Sequence, residues 1–149
     1  MEISADTYNL QRFINAQEST FEVARVELLA GQKRSHWMWY IFPQIKGLGS
    51  SPTAQRFAIS NLQEGAAYLK HPILGRRLED CTALVNAVRK SSIQGIFGYP
   101  DNLKFHSSVT LFAEVAEQFG VEIPVFREAL VKHFGGRGDK NTLRAMHSI

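Results

Sequence analysis

Lys33-Arg34-Ser35-His36-Trp37-Met38-Trp39-Tyr40-Ile41-Phe42-Pro43-Gln44 contains both tryptophans of the 149-residue chain, with a tyrosine, a phenylalanine, two cations, a histidine and a glutamine. The mix is too apolar for a surface loop and too polar for a plain core segment. An aromatic binding wall with a polar rim fits it better. Helix and strand are hard to separate here, because Trp37, Trp39 and Tyr40 do not alternate cleanly. Pro43 ends whatever forms and pushes Phe42 towards an extended conformation. This is the one place where strands have a case, so its flanks decide the fold class.

Both flanks read as helices. Upstream, Asp6 caps a first helix through about Ala16, with Leu10, Phe13 and Ile14 on one face. Ser19-Thr20-Phe21-Glu22 has the form of a capping box and opens a second helix, which Gly31 ends in the left-handed conformation. Glu22, Arg25 and Glu27 would mostly face water, Glu27 standing out because it just precedes the aromatic stretch. Downstream, Gly47-Leu48-Gly49-Ser50-Ser51 is a loop, and Ser51-Pro52 starts a short helix to about Ile59. Ser60 with Gln63 suggests another capping box, for a helix through Leu69. After His71-Pro72, the segment to about Arg89 sets Ile73, Leu74, Leu78, Cys81, Leu84, Val85 and Val88 at helical spacing. Cys81 on that apolar face reads as a buried, inert thiol. Ser91 caps a short turn to Phe97. Pro100 or Asp101 begins a helix closed by Gly120, Pro124 begins another stopped by Gly135-Gly136, and Asp139 caps a last one from Lys140 to Met146. No regular two-residue alternation supports a large sheet. The expectation is a mainly α, compact, single-domain fold over 1–149, with room for one or two short strands around Trp37 to Phe42.

Composition is that of an ordinary globular protein, 44% hydrophobic and 21% charged. The net charge of +3 is mild and acidic residues are mixed throughout, so nucleic acid is not the expected partner. Arg76-Arg77 and Arg89-Lys90 read as solvated helix ends. A nucleic-acid binder would need Lys33, Arg34, Lys46, Arg76 and Arg77 on one face. A single cysteine excludes an intrachain disulfide and suggests a reducing, cytoplasmic setting. The polar N-terminus lacks a signal-peptide core, and no apolar run approaches the roughly 18 residues of a membrane span.

No Gly-rich phosphate loop and no nucleophile elbow occurs. The five histidines are scattered and no second cysteine exists, so neither a metal nor a cofactor is expected. Two stretches remain. In the first, Trp37, Trp39 and Phe42 could stack on a planar ligand such as a nucleobase, inside a polar rim that includes Ser35 and His36. Lys33 or Arg34 could pair with phosphate, and Gln44 could read a base edge or ribose. The plainer reading makes both tryptophans core anchors and the cations a solvated rim. In the second, Asp101, Lys104 and Ser108 fall at i, i+3 and i+7, flanked by His106 and Ser107. A carboxylate, an ammonium and hydroxyls at a helix start suit an anionic or polyhydroxyl ligand. The plainer reading is a capping Asp paired with Lys104, worth a few tenths of a kcal/mol. Ser107 and Ser108 in an apolar helix still need partners.

Arg34 to Gln44 followed by Gly47-Leu48-Gly49-Ser50-Ser51 resembles the signature of a domain-of-unknown-function family, number 1810. Tyr68-Leu69-x-His71-Pro72-x-Leu74-Gly75-x-Arg77-Leu78 resembles it too, as does Ile96-Phe97-Gly98-x-Pro100-Asp101-x-x-Lys104 with Ser107-Ser108-x-Thr110-Leu111-Phe112. The likeness spans about Leu10 to Leu143 and brings no established reaction. Members are often labelled calpastatin, yet calpastatin inhibitory segments are disordered and this chain is compact and apolar. A fainter similarity, in order and spacing of blocks, is to NADAR-type N-glycosidases. It implies Glu27 or Asp101 as acid/base at an oxocarbenium-like centre, with Lys33 or Lys104 on phosphate. Two readings follow. One is a nucleotide- or ADP-ribose-like ligand bound or processed in a cleft between the two stretches, as a sensor, an N-glycosidase or another hydrolase, with Trp37 and Ser108 lining the same region. The other is a non-enzymatic interaction domain with Trp37 or Trp39 exposed on a flat patch.

Overall fold

The computed structural model describes residues 5–148. Among them the chain is mainly helical: α1 (Gln11–Gln17), α2 (Phe21–Leu29), α3 (Met38–Ile41), α4 (Pro52–Arg56), α5 (Leu62–Lys70), α6 (Leu74–Ala87), α7 (Ile93–Phe97), α8 (Asp101–Gln118), α9 (Val125–Phe134) and α10 (Lys140–His147). The organising element is α8. From Phe105 to Ala116 almost every residue is buried, on all sides of the helix. A helix apolar around its whole circumference belongs in the middle of a fold, and α5, α7, α9 and α10 pack around this one. The polar residues on it are partly satisfied locally: Thr110 Oγ1 donates to His106 O at 2.7 Å and Ser107 Oγ to Leu103 O at 3.1 Å. α6 lies across α2, α5 and α9.

Rings fill the centre. Phe42 meets Phe97 and Phe105 edge-on, and Phe13 meets Tyr68 and Phe57 the same way. Burial of each such side chain is worth roughly 1.5–3 kcal/mol. Cys81 is buried on α6.

Strands do not form at Trp37 to Phe42. That stretch makes the single helical turn α3, and an isolated parallel bridge, Ile45 with Ile59, comes only after Pro43. Two caps also differ from expectation. Thr20, not Ser19, precedes α2 and makes no side-chain cap; Glu22 pairs with Arg25 instead. Asn61, not Ser60, caps α5, and the reciprocal acceptor is Glu64, not Gln63. For α5 the reason is tertiary. Glu64 is buried in an ion pair with Arg12 at 2.9 Å, and Arg12 also donates to the carbonyls of Tyr8, Asn9, Arg56 and Ala58. Asp6 does serve α1, accepting from Leu10 N and Gln11 N across a turn. Ser51, Asp139 and Gly31 behave as local rules demand.

The α5–α6 corner depends on one missing atom. A Cβ on Gly75 would lie 2.0 Å from Leu69 O and 2.8 Å from Leu69 C. Backbone cannot yield as a side-chain tip does, so Gly75→Ala should cost at least about 3 kcal/mol, read as a lower urea midpoint. Wild-type stability in that variant would show that the corner is not closely packed.

Candidate functional site

Geometry here starts from Glu27, on the last turn of α2. Its Oε1 accepts from Arg34 N at 2.7 Å, Ser35 N at 3.0 Å and Trp37 Nε1 at 2.9 Å, and its Oε2 from Ser35 Oγ at 2.5 Å. Burial pushes this carboxyl up, but the bonds from Ser35, Arg34 and Trp37 outweigh it and bring the pKa down to about 2. Such a group is a fixed anion with its lone pairs engaged. Glu27, expected as a general acid or base, has its oxygens engaged by four donors of the turn and anchors that turn to α2. The indole it holds, Trp37, is wholly buried, as is Phe42. Both were expected to stack on a ligand; both are core, because the Glu27 bond turns the indole inwards and Phe42 meets Phe97 and Phe105.

Lys33 is held at the same turn. Its N–H donates to Ile96 O at 2.7 Å, and its Nζ donates to Ser35 O at 2.6 Å and pairs with Asp101 at 2.8 Å. Only 7% of this side chain is exposed. Asp101, the first residue of α8, meets Lys104 with its other oxygen at 3.3 Å. Lys104 Nζ in turn sits 4.4 Å from the centre of a Trp39 ring. The aromatic stretch and the start of α8 thus touch through Lys33–Asp101–Lys104–Trp39. Asp101, the other expected acid/base, spends each oxygen on an ammonium.

Trp39 is half-buried and stands between two concavities. One, of about 420 Å³, is mainly apolar, with Ile45, Phe57, Ala54 and Ala58 in its wall and Gln44, Lys46 and Gln55 as polar groups. The other, of about 540 Å³, also has apolar wall, from Leu48, Pro100 and Leu103, and brings Lys104, Ser107, Ser50, Ser51, Asp139 and Asn141 to its surface. Trp39, Gln44, Gly49 and Ala54 line both, so the two adjoin. Their sizes lie in the range of small-molecule sites.

Of the residues singled out in the sequence, Trp39, Gln44, Lys104 and Ser107 come together in this cleft. Lys33, Ser35, Glu27 and Asp101 stand behind it. His36 lines a different groove with Tyr40, Ser19 and Arg56. Arg34 is exposed and donates to Gln32. Ser108 is fully buried, and its hydroxyl has no hydrogen-bond partner among the described residues. The residues of the two stretches that line one cavity are therefore Trp39 and Ser107, not Trp37 and Ser108. Asp139 and Asn141 were not expected here. Asp139 was legible only as a cap; its Oδ2 accepts from Thr142 N, Thr142 Oγ1 and Ser107 Oγ, which seats the α10 start against α8. The basic face is not assembled either: Lys33 is buried, and Arg77 turns to Gln17 and the Phe21 ring. No group of three or more His, Cys, Asp or Glu among the described residues is placed to hold a metal, and no described helix is long and apolar enough to cross a membrane.

A family model described as "Protein of unknown function (DUF1810)" matches residues 7–146. The chain belongs to this family. A similar solved structure is that of the conserved hypothetical protein Rv1873 from Mycobacterium tuberculosis. It is 47% identical, with a TM-score of 0.90, over 95% of this chain and 99% of that one. No curated protein matches. The relative shares the fold, and neither name carries an activity.

Two outcomes follow from the site. Glu27 has a folded pKa below its ordinary 4.5, so its contribution is complete above about pH 4.5 and is lost as pH falls towards 2. Glu27→Gln should lower urea-unfolding stability at pH 7 by about 3 kcal/mol, and the gap from wild type should narrow by pH 3. A constant gap would remove the anchor role. Burial pushes the Cys81 thiol up to about 12, so a thiol reagent at pH 8 should label it only after denaturant is added.

Proposed function

We propose that the protein binds a nucleotide-like small molecule of the ADP-ribose class in the cleft around Trp39. One observation carries this reading: a single half-buried indole, bearing an ammonium near its face, stands between two adjoining cavities, and Lys104, Ser107 and Asn141 line only one of them. A nucleotide has a flat base at one end and a charged, hydroxyl-bearing group at the other. Its base suits the wall of Trp39, Phe57 and Ile45, with the Gln44 amide for a polar edge. Its phosphate suits Lys104 and the Asn141 amide, and its ribose hydroxyls can donate to Ser107 Oγ and Asp139. Charge supports this. Lys33, Asp101 and Lys104 form a trio of two ammoniums and one carboxylate, with the shorter contact made by buried Lys33. Lys104 is the member that lines the groove, and it is the cation there that an anion can meet. The reading is one of binding. The carboxylate that lines the groove is Asp139, and Glu27 and Asp101 are engaged elsewhere. The interaction-patch alternative needs an exposed, flat aromatic surface, whereas Trp37 is buried and Trp39 lies in a concavity.

Intrinsic fluorescence during titration with AMP and ADP-ribose tests the proposal. A saturable change is expected. Trp39→Phe should abolish it while the core Trp37 still fluoresces, and Lys104→Ala should weaken binding by about tenfold or more, the worth of one charge-assisted hydrogen bond. A flat titration, or an unchanged response in Trp39→Phe, would reject the cleft as a nucleotide site.

A further inference from the structure

A second depression, of about 650 Å³, lies where the end of α6, the start of α7 and the last turns of α9 meet. It has no lining residue in common with the Trp39 cleft. Arg89, Lys132 and His133 line it together with Ser91 and Ser92. We infer that this depression is a binding site for the phosphate group of a small molecule.

Charge is the first ground. Among the described residues no carboxylate lies within ion-pair distance of Arg89 or Lys132, and none lines the depression. An anion in the depression would meet both cations and no carboxylate. The histidine is the second ground. Asn86 Nδ2 donates to Val125 O at 3.2 Å, which fixes the orientation of the amide. Asn86 Oδ1 therefore faces His133 Nε2, at 3.0 Å, and can only accept. Nε2 must carry the hydrogen, so Nδ1 is the unprotonated nitrogen of the neutral ring. Burial, then neighbouring Lys132, hold this histidine below its usual range. An arriving dianion reverses the second effect and favours a proton on Nδ1. The groups facing the ring are then Lys132 on its own helix, Asn86 on α6, Arg89 beyond it, the two serines before α7, and Phe105 on α8. The hydroxyls are the third ground. Ser92 Oγ accepts from Gly95 N and keeps its O–H to donate. Lys132 Nζ gives one hydrogen to Asn86 O and keeps two. Donors thus outnumber acceptors around the depression, which is the balance a phosphate requires. Val88 and Ile93 supply apolar wall for the rest of an organic phosphate.

The test follows the His133 ring resonances by NMR at pH 7, with sodium chloride replaced by inorganic phosphate at constant ionic strength. A saturable shift is expected. Arg89→Gln and Lys132→Gln, both at exposed positions, should each weaken it about tenfold, and Arg89→Gln, whose side chain makes no bond among the described residues, should do so without lowering the melting temperature. No saturable shift, or the same affinity in both variants, would overturn the inference. A sugar phosphate used as a second probe separates the sources. Tighter binding than inorganic phosphate assigns the site to an organic phosphate, and equal binding assigns it to the anion alone. A nucleotide-site failure at Trp39 leaves this result untouched, because that cleft is read by fluorescence and this one by His133.

Discussion

One carboxylate fixes what the aromatic stretch can be. Glu27 sits on α2 and takes four donors from a turn that begins seven residues later. Two are backbone N–H groups that no helix serves, one is a hydroxyl and one is the indole N–H. Each charge-assisted bond is worth about 1.5–3 kcal/mol, against the cost of partly drying the anion. With the indole of Trp37 pinned inwards, the chain enters α3 in one orientation only. Trp39, two residues on, then emerges on the other side of the turn. Lys33 is carried along by the same turn and delivered to Asp101.

The site rests on this because its second half is rigid for a separate reason. α8 cannot shift, being buried on every side along its middle turns. Its first turn therefore presents Asp101 and Lys104 at a fixed position. Asp139, bonded to Ser107 and to the start of α10, adds a third wall. The cleft thus lies between a pinned turn and a central helix, and its walls are set by the fold.

The helices were legible because their signals are local. Apolar spacing, Ser51 before Pro52, Gly31 at a positive φ and Asp139 as a cap each act within four residues. The failures are the places where a distant partner decided. Ser60 and Gln63 satisfy a local capping rule, yet Arg12, 52 residues before Glu64, draws that carboxylate inwards and moves the cap to Asn61. Trp37 and Trp39 have equal claims as side chains. Only the indole bond to Glu27 distinguishes the core anchor from the cleft wall. Glu27 drew notice by position, but its number of donors cannot be read from a sequence, and that number turns a candidate acid into a structural anion. Asp139 and Asn141 reach the cleft from the far end of the chain, which no spacing rule connects to Trp39.

The charge arrangement explains why Lys33 and Lys104 are not equivalent. A lysine as buried as Lys33 is tolerated only with a counter-charge and hydrogen bonds, and it has Asp101 and the Ser35 carbonyl. Asp101 therefore belongs first to Lys33. Were Asp101 neutral, Lys33 would be a buried, uncompensated cation and the turn held by Glu27 would lose its contact with α8. Lys104 is the more exposed of the two, at 23%, and makes the longer contact. Its charge is the part of the trio that the fold does not consume. The same carboxylate that secures the interior thus leaves a cation over Trp39 at the cleft wall, and one arrangement serves both the core and the cleft.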